Sequence, residues 1–516
     1  MRLLSLLFIF FTLQAASQAV SLYKDLPAGN YAVGFKIITI TDPARIARPE
    51  FNYLGEKQKG DRRKKITIHI WYPCLPGSGK SRLTYGDYCI NGNASVTRET
   101  VGPERRQSEM AAAKSSMERW FGKVDSAKWN RLLTTKMMAF ADAIPLKKKF
   151  PLLVGVLRPL STTLTNELLA SNGYVVAMVA GENASTFAAA ALSDIPNMRL
   201  AILELEKWGL VDRERIGTFG FSGSGFSQVL FSMNDYRIKA VADIESGIYM
   251  DGLFQAFSAS DYYQPSKLRA PFLHLFSKDL SRQEKFLDEF TGKTRFAKRY
   301  RLILNQPALH HWDFAAEGYT SCVVLGMRGE NQLQIRQSFE IANIYLLNFF
   351  NAELKQENRG LSLLAAKPPL LPRDTSLWQI TGFPPLKPAP DKDEFELIVE
   401  KAGIDRALFL VRETIKNDSL SNLMESYTLN ALGYKYLHGK KFREAIGVFQ
   451  LNTALHPEDP NLYDSLAEAY ELKGDPDNMR KISATVLDLL NKKINLSDAE
   501  KGLKGNAEKR LHGSGQ

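Results

Sequence analysis

Apolar and polar positions follow two rhythms along this chain. Near the N-terminus, residues 31–40 and 66–72 are rich in β-branched side chains and bounded by turn or charge signals, which predicts two strands. From residue 150 onward, short apolar runs alternate with helical patterns. Strands are expected at 152–157, 174–179, 215–220, 240–245, 272–277 and 300–304. Helices are expected at 164–171, 199–208, 226–233 and, as a long amphipathic element, 333–354. Such alternation predicts an α/β fold with a doubly wound, mostly parallel sheet. Residues 74–149 are mixed, with helical patterns at 108–120 and 127–143, and read as a cap or insertion over the core. Seven prolines between 368 and 390 stop regular structure and predict a stiff linker over 361–393. Residues 394–492 are then almost wholly helical, and 493–516 read as a loose polar tail.

Composition narrows this picture. The chain has 516 residues, 44% hydrophobic and 24% charged, which are globular proportions that exclude a disordered, fibrous or multi-span membrane protein. Met1, Arg2, an apolar run from Leu3 to Leu13 and small residues at Ser17 and Ala19 form a secretory signal pattern, too short to span a bilayer. Residues 1–19 are expected to be removed after Ala19, and the remainder exported to a periplasmic or extracellular space. The main α/β unit is then 20–360. The net charge of +11 is compatible with nucleic acid, an anionic surface or solubility alone. Export makes nucleic acid an unfit partner and leaves peripheral contact with an anionic surface. Cys74 and Cys89 are close enough in sequence to bridge, with Cys322 left over; three unpaired thiols are the alternative.

The chemistry concentrates at one turn. Gly220-Phe221-Ser222-Gly223-Ser224 runs from an expected strand into an expected helix and matches a nucleophile elbow, with Ser224 where a last glycine usually sits. The turn is sharp, so the residues two before and two after the nucleophile must be small. Ser222 is the candidate nucleophile, and the Gly223 amide a candidate oxyanion donor. Of seven histidines, His69 and His274 fall inside expected strands, and His438, His456 and His512 fall in the helical region or tail. His310 and His311 remain, in the loop after the last strand, where the base of such a fold lies. His311 is favoured because His311-Trp312-Asp313-Phe314 can turn one ring inward. The acid should lie between them at a strand's carboxyl end. Glu245 is preferred, Asp279 is the alternative, and Asp243 reads as a packing residue.

At these residues a family resemblance is plain. Residues from about 30 to 350 resemble the α/β-hydrolases of the branch containing platelet-activating-factor acetylhydrolases and dienelactone-hydrolase-like esterases. The resemblance lies in Tyr31-Ala-Val-Gly, Thr39-Ile-Thr-Asp-Pro43, Ile70-Trp-Tyr-Pro73, Arg237-Ile-Lys-Ala-Val-Ala-Asp-Ile-Glu245 and His311-Trp-Asp-Phe314. It implies Ser222 as nucleophile, His311 as base and Glu245 as orienting acid, with no cofactor. One departure stands out. Where this branch has His-Gly before its oxyanion residue, the chain has Leu157-Arg158-Pro159-Leu160. The Leu160 amide can donate, whereas Pro159 has no donor. Arg158 is a candidate contact for an anionic or carbonyl group, or an obstruction.

In the helical region Leu432, Gly433, Tyr436, Ala445, Phe449 and Pro457 fall on the tetratricopeptide pattern, followed one period later by Leu466, Ala467 and Tyr470. The resemblance implies a surface for a protein partner, or a structural appendage. Gly77-Ser-Gly-Lys-Ser81 lacks the first glycine and following helix of a phosphate loop, and no cluster has metal-ligand spacing. The sequence thus points to an exported serine hydrolase acting on a small-molecule or lipid ester. The rival is a catalytically impaired hydrolase scaffold whose repeats bind a protein partner.

Overall fold

The computed structural model describes residues 22–91, 102–158, 160–181, 184–248, 250, 252–278, 284–307, 309–365, 375–418 and 421–513. The expected leader and Asp279 lie outside them. The described strands are β1 (Ala32–Ile46), β2 (Arg63–Cys74), β3 (Arg82–Thr84), β4 (Lys136–Ala141), β5 (Phe150–Leu157), β6 (Val175–Ala180), β7 (Val211–Phe221), β8 (Ile238–Ile244), β9 (Phe272–Ser277), β10 (Arg299–Leu304) and β11 (Trp378–Phe383). They form one sheet in the order β11-β10-β9-β8-β7-β5-β6-β2-β1-β4-β3. β5 to β10 are mutually parallel, while β2 runs antiparallel to both β1 and β6.

From β5 the chain moves one way to β6, then doubles back past β5 to β7. The winding therefore reverses between β5 and β7, and a crevice opens at their carboxyl ends. This is a doubly wound, mostly parallel α/β architecture. Both faces are covered, which explains why all eight positions of β5 are apolar or small and buried. Helices Thr163–Ser171 and Gln332–Lys355 contribute to the core on one face. Helices Phe187–Glu206, Gly223–Asn234 and Leu253–Ser258 contribute to the core on the other. Among the described residues, no helix is long and apolar enough to cross a membrane.

Three expectations need correction. The helix expected over 127–143 is a shorter helix, Ser126–Thr134, capped by Asp125, followed by β4. β4 departs from helix because it completes the sheet edge between β1 and β3, and because the Glu167 carboxylate accepts the Met138 and Ala139 amides. The linker expected over 361–393 holds the end of helix Asn358–Leu364 and all of β11. β11 pairs antiparallel with β10, from Arg299↔Phe383 to Leu304↔Trp378, and the Trp378 indole donates to Tyr345 Oη at 2.9 Å. Pro368, Pro369 and Pro372 lie outside the described residues. The loose tail is helical over Asp498–His512, with a Ser497/Glu500 capping box and Arg510 paired with Asp464 and Glu471. The three cysteines are buried and unpaired, so Cys74 and Cys89 form no bridge.

The chain divides into two compact units, Met1–Pro385 and Leu386–Gln516. The second is all-helical: Lys392–Ala402, Ile404–Thr414, Ser426–His438, Phe442–Leu455, Pro460–Lys473, Pro476–Asn491 and Asp498–His512. Gly433 lets the helices Ser426–His438 and Phe442–Leu455 close up, since a Cβ there would lie 2.3 Å from the Phe449 ring.

The N-terminal segment and the insertion are tied to the core by one buried carboxylate. Glu167 accepts from Tyr23 Oη, from Tyr88 Oη at 2.6 Å, and from the Met138 and Ala139 amides at 2.8 and 3.1 Å. Removing it strands four buried donors, each costing about 1–3 kcal/mol. Glu167→Ala is expected to lower unfolding stability by at least about 3 kcal/mol, read as a fall in the urea midpoint; an unchanged midpoint would contradict this account.

Candidate active site

β7 ends at Phe221 and the next helix begins at Gly223, leaving Ser222 to make the whole turn. Its backbone sits at φ 56°, ψ −143°, a region that costs a non-glycine residue about 1–3 kcal/mol. Two hydrogen bonds hold it there: Ser222 N–H to the Ile244 carbonyl at 2.9 Å, and Gly225 N–H to the Ser222 carbonyl at 2.8 Å. The turn is close on every side. A Cβ on Gly220 would lie 2.7 Å from the Gly225 nitrogen, and one on Gly223 2.2 Å from the Phe187 ring. Ser224 fits in place of the usual glycine because its hydroxyl folds back, donating to the Phe221 carbonyl at 2.6 Å and accepting the Phe221 amide at 3.1 Å.

Histidine reaches this serine from the loop after β10. His311 Nε2 lies 2.8 Å from Ser222 Oγ. Its ring stacks on Phe221, with centroids 4.9 Å apart and planes 21° from parallel. Behind it, Nδ1 is 3.7 Å from Glu245 Oε2, within ion-pair reach once the ring is protonated. Glu245 leaves β8 at φ 49°, and its Oε1 accepts the Ser277 amide at 2.6 Å. The structure therefore brings Ser222, His311 and Glu245 together. His310 is exposed and precedes the short 3-10 turn His311–Phe314.

Sequence reasoning missed what holds that turn. Asp313 is buried; it accepts the His310 amide at 2.8 Å and a two-pronged contact from Arg328 at 2.7 and 2.9 Å. Arg328 itself sits at φ 79° over the Phe121 ring. Trp312 packs between Phe221 and Trp120. Asp313 was adjacent to the motif and could have been suspected, but nothing local marks Arg328, fifteen residues on.

On the oxyanion side, Gly223 opens the helix and Leu160 follows β5 at φ 64°. The Leu160 carbonyl accepts the Thr163 amide at 3.0 Å, and Pro159 lies outside the described residues. The next residue is gripped from the histidine side: Ala316 N–H donates to the Ser161 carbonyl at 2.8 Å, and Ser161 Oγ to Glu317 at 3.1 Å. Burial raises Glu317 to about 7. Arg158, expected as a substrate contact, is not among the residues lining the cleft. Burial lowers its pKa, and the Asp194 carboxylate opposes that shift.

A cleft of about 530 Å³ opens over Ser222. Phe187, Met250, Leu253 and Leu309 give it an apolar side, and His310 and Ser246 a polar one. Among its described residues, the insertion expected to cap this cleft contributes none of the lining; through Trp120 and Phe121 it buttresses the histidine loop. Beneath the elbow, Asp243 accepts from Ser246 Oγ at 2.9 Å, and a Cβ on Gly225 would lie 2.4 Å from its other oxygen. Burial, with the nearby Glu245 charge, raises Asp243 to about 7. Among the described residues, no group of three His, Cys, Asp or Glu could hold a metal.

No family profile matches the chain, and no curated protein sequence does. Among solved structures it is similar to a ferulic acid esterase from Streptomyces cinnamoneus, at 19% identity and TM-score 0.45, over 69% of this chain and 98% of that one. It is also similar to the AtxE2 isopeptidase, at 11% identity and TM-score 0.34, over 63% of this chain and 41% of that one.

Two outcomes follow from the geometry. Arg328→Ala leaves Asp313 buried without its cation and is expected to cost about 3–5 kcal/mol. In a denaturation cycle, the double Arg328→Ala/Asp313→Ala variant should lose less than the sum of the singles; strict additivity would show the pair uncoupled. Asp243, raised from 3.8 to about 7 on folding, binds its proton more tightly when folded. Its contribution is present below pH 4 and lost as pH rises through 7. Asp243→Asn should therefore lose less stability than wild type between pH 5 and pH 8, and parallel stability curves would rule this out.

Proposed function

We propose that this chain is an exported serine hydrolase of carboxylic esters, of the platelet-activating-factor-acetylhydrolase and dienelactone-hydrolase-like branch. The observation that carries the reading is the 2.8 Å approach of His311 Nε2 to the strained Ser222 hydroxyl, with Glu245 behind the ring. In the tautomer protonated at Nδ1, Nε2 is free to take the hydroxyl proton as Oγ attacks the acyl carbon. The imidazolium then faces Glu245, whose other oxygen is fixed by the Ser277 amide. His311 returns the proton to the leaving alkoxide, and water repeats the sequence on the acyl-enzyme. The amides of Gly223 and Leu160 stabilise the oxyanion. The apolar side of the cleft suits the acyl group or an apolar alcohol. For the helical unit, the close Gly433–Phe449 contact supports the tetratricopeptide reading, whose role is to dock a protein partner or to serve as a structural appendage.

A fluorophosphonate probe is expected to label the wild-type protein and not Ser222→Ala. Against short p-nitrophenyl esters, Ser222→Ala and His311→Ala should each lower kcat by about 10⁴–10⁶-fold, and Glu245→Gln by up to about 10⁴-fold. Neither labelling nor ester hydrolysis by the wild type would leave the scaffold reading in its place.

A further inference from the structure

The hairpin joining β1 to β2 has no part in the proposed chemistry, yet it holds three large apolar side chains in water. Its position follows from strand pairing. β2 is antiparallel to β6 with Ile68 opposite Val179, so β2 begins at the carboxyl end of β6. β6, β5 and β7 are parallel, and Ser222 follows the carboxyl end of β7. Residues 47–62 therefore extend beyond the same edge of the sheet that carries the nucleophile.

The tip is built rather than frayed. Phe51 bridges to Lys57, and Asn52 Oδ1 accepts the Leu54 and Glu56 amides, each at 2.9 Å. This turn holds Phe51, Tyr53 and Leu54 in water at 52%, 96% and 68% exposure, against the tendency of such side chains to be covered. The base of the hairpin is fastened to the helix Phe187–Glu206: Arg45 donates to Asn197 Oδ1 at 2.6 Å, and Lys64 to Ser193 Oγ at 3.3 Å. That helix brings two more exposed apolar side chains, Leu192 and the cleft residue Phe187, to this rim. Charge accompanies the apolar tip. Residues 45–65 hold eight Lys or Arg against three Asp or Glu, a net of +5.

We propose that this hairpin docks the protein on an anionic lipid bilayer, with Phe51, Tyr53 and Leu54 entering the headgroup region and the basic residues facing anionic lipids. Aromatic side chains favour the interfacial depth, and clustered Lys and Arg are drawn to the negative surface. An acidic protein or a nucleic acid would answer the charge but leave three apolar side chains without a partner. The functional consequence, that the cleft mouth then faces the membrane, rests on the ester-hydrolase reading; the docking itself does not.

The test is co-sedimentation of the full chain with vesicles of phosphatidylglycerol and phosphatidylcholine, and with phosphatidylcholine alone. Wild type should partition to the anionic vesicles, less so at high salt. Arg48→Gln/Lys59→Gln/Lys65→Gln should lower partition by about 100-fold, roughly fivefold per charge. Phe51→Ser/Tyr53→Ser/Leu54→Ser should lower it at least tenfold while leaving hydrolysis of a water-soluble ester unchanged. Ser222→Ala should bind vesicles as wild type does, which separates failure of docking from failure of the hydrolase reading. Equal binding to both vesicle types, wild-type binding by the Phe51→Ser/Tyr53→Ser/Leu54→Ser variant, or binding only to RNA or heparin overturns the proposal.

Discussion

One strained residue organises the carboxyl edge of the parallel strands. Ser222 is held at a positive φ because β7 must become a helix within a single residue. The serine's own side chain makes no bond that caps the helix. The conformation persists because β8 supplies the Ile244 carbonyl, the new helix supplies the Gly225 amide, and Phe187 and Asp243 leave no room for larger neighbours. The reversal of winding between β5 and β7 places this turn beside a crevice. Strain at Ser222 and access to Ser222 thus have one topological origin.

The partners of Ser222 are positioned by pieces of chain that are themselves constrained. Glu245 leaves β8 with a positive φ, and the amide at the end of β9 fixes its carboxylate. His311 lies in a turn tied to Arg328 through buried Asp313 and packed by Trp312 against Phe221 and Trp120. Glu317 and Ala316, in the helix after that turn, hold Ser161 beside Leu160. The base side and the oxyanion side are therefore mechanically linked. The buried acids Asp243 and Glu317, both raised to about 7, surround the site with groups whose charge is sensitive near neutrality.

Much of this was legible in the chain. The strands at 272–277 and the elbow at 220–224 stand out because apolar runs and small residues have few other uses in those patterns. Seven histidines reduced to a neighbouring pair by their placement in or out of expected elements. The misreadings have physical reasons. β11 is an edge strand and β4 lies one strand in from the other edge; their sequences carry weak periodicity, and only pairing with β1, β3 and β10 makes them strands. The insertion read as a cap because polarity and helicity say nothing about direction; Trp120 and Phe121 turn it toward the histidine loop.

From residue 150 to 354 the chain's own pattern determined the order of the main strands and helices, the sharp serine turn, and the short set of residues able to serve it, because these follow from local periodicity, size and chain order. Tertiary structure alone decided which histidine faces the serine, that Arg328 anchors the loop, that Arg158 is not part of the cleft lining, and that the β1–β2 hairpin stands at the carboxyl edge of the parallel strands. Each of those depends on contacts between residues far apart in the chain, and no local pattern encodes such a distance.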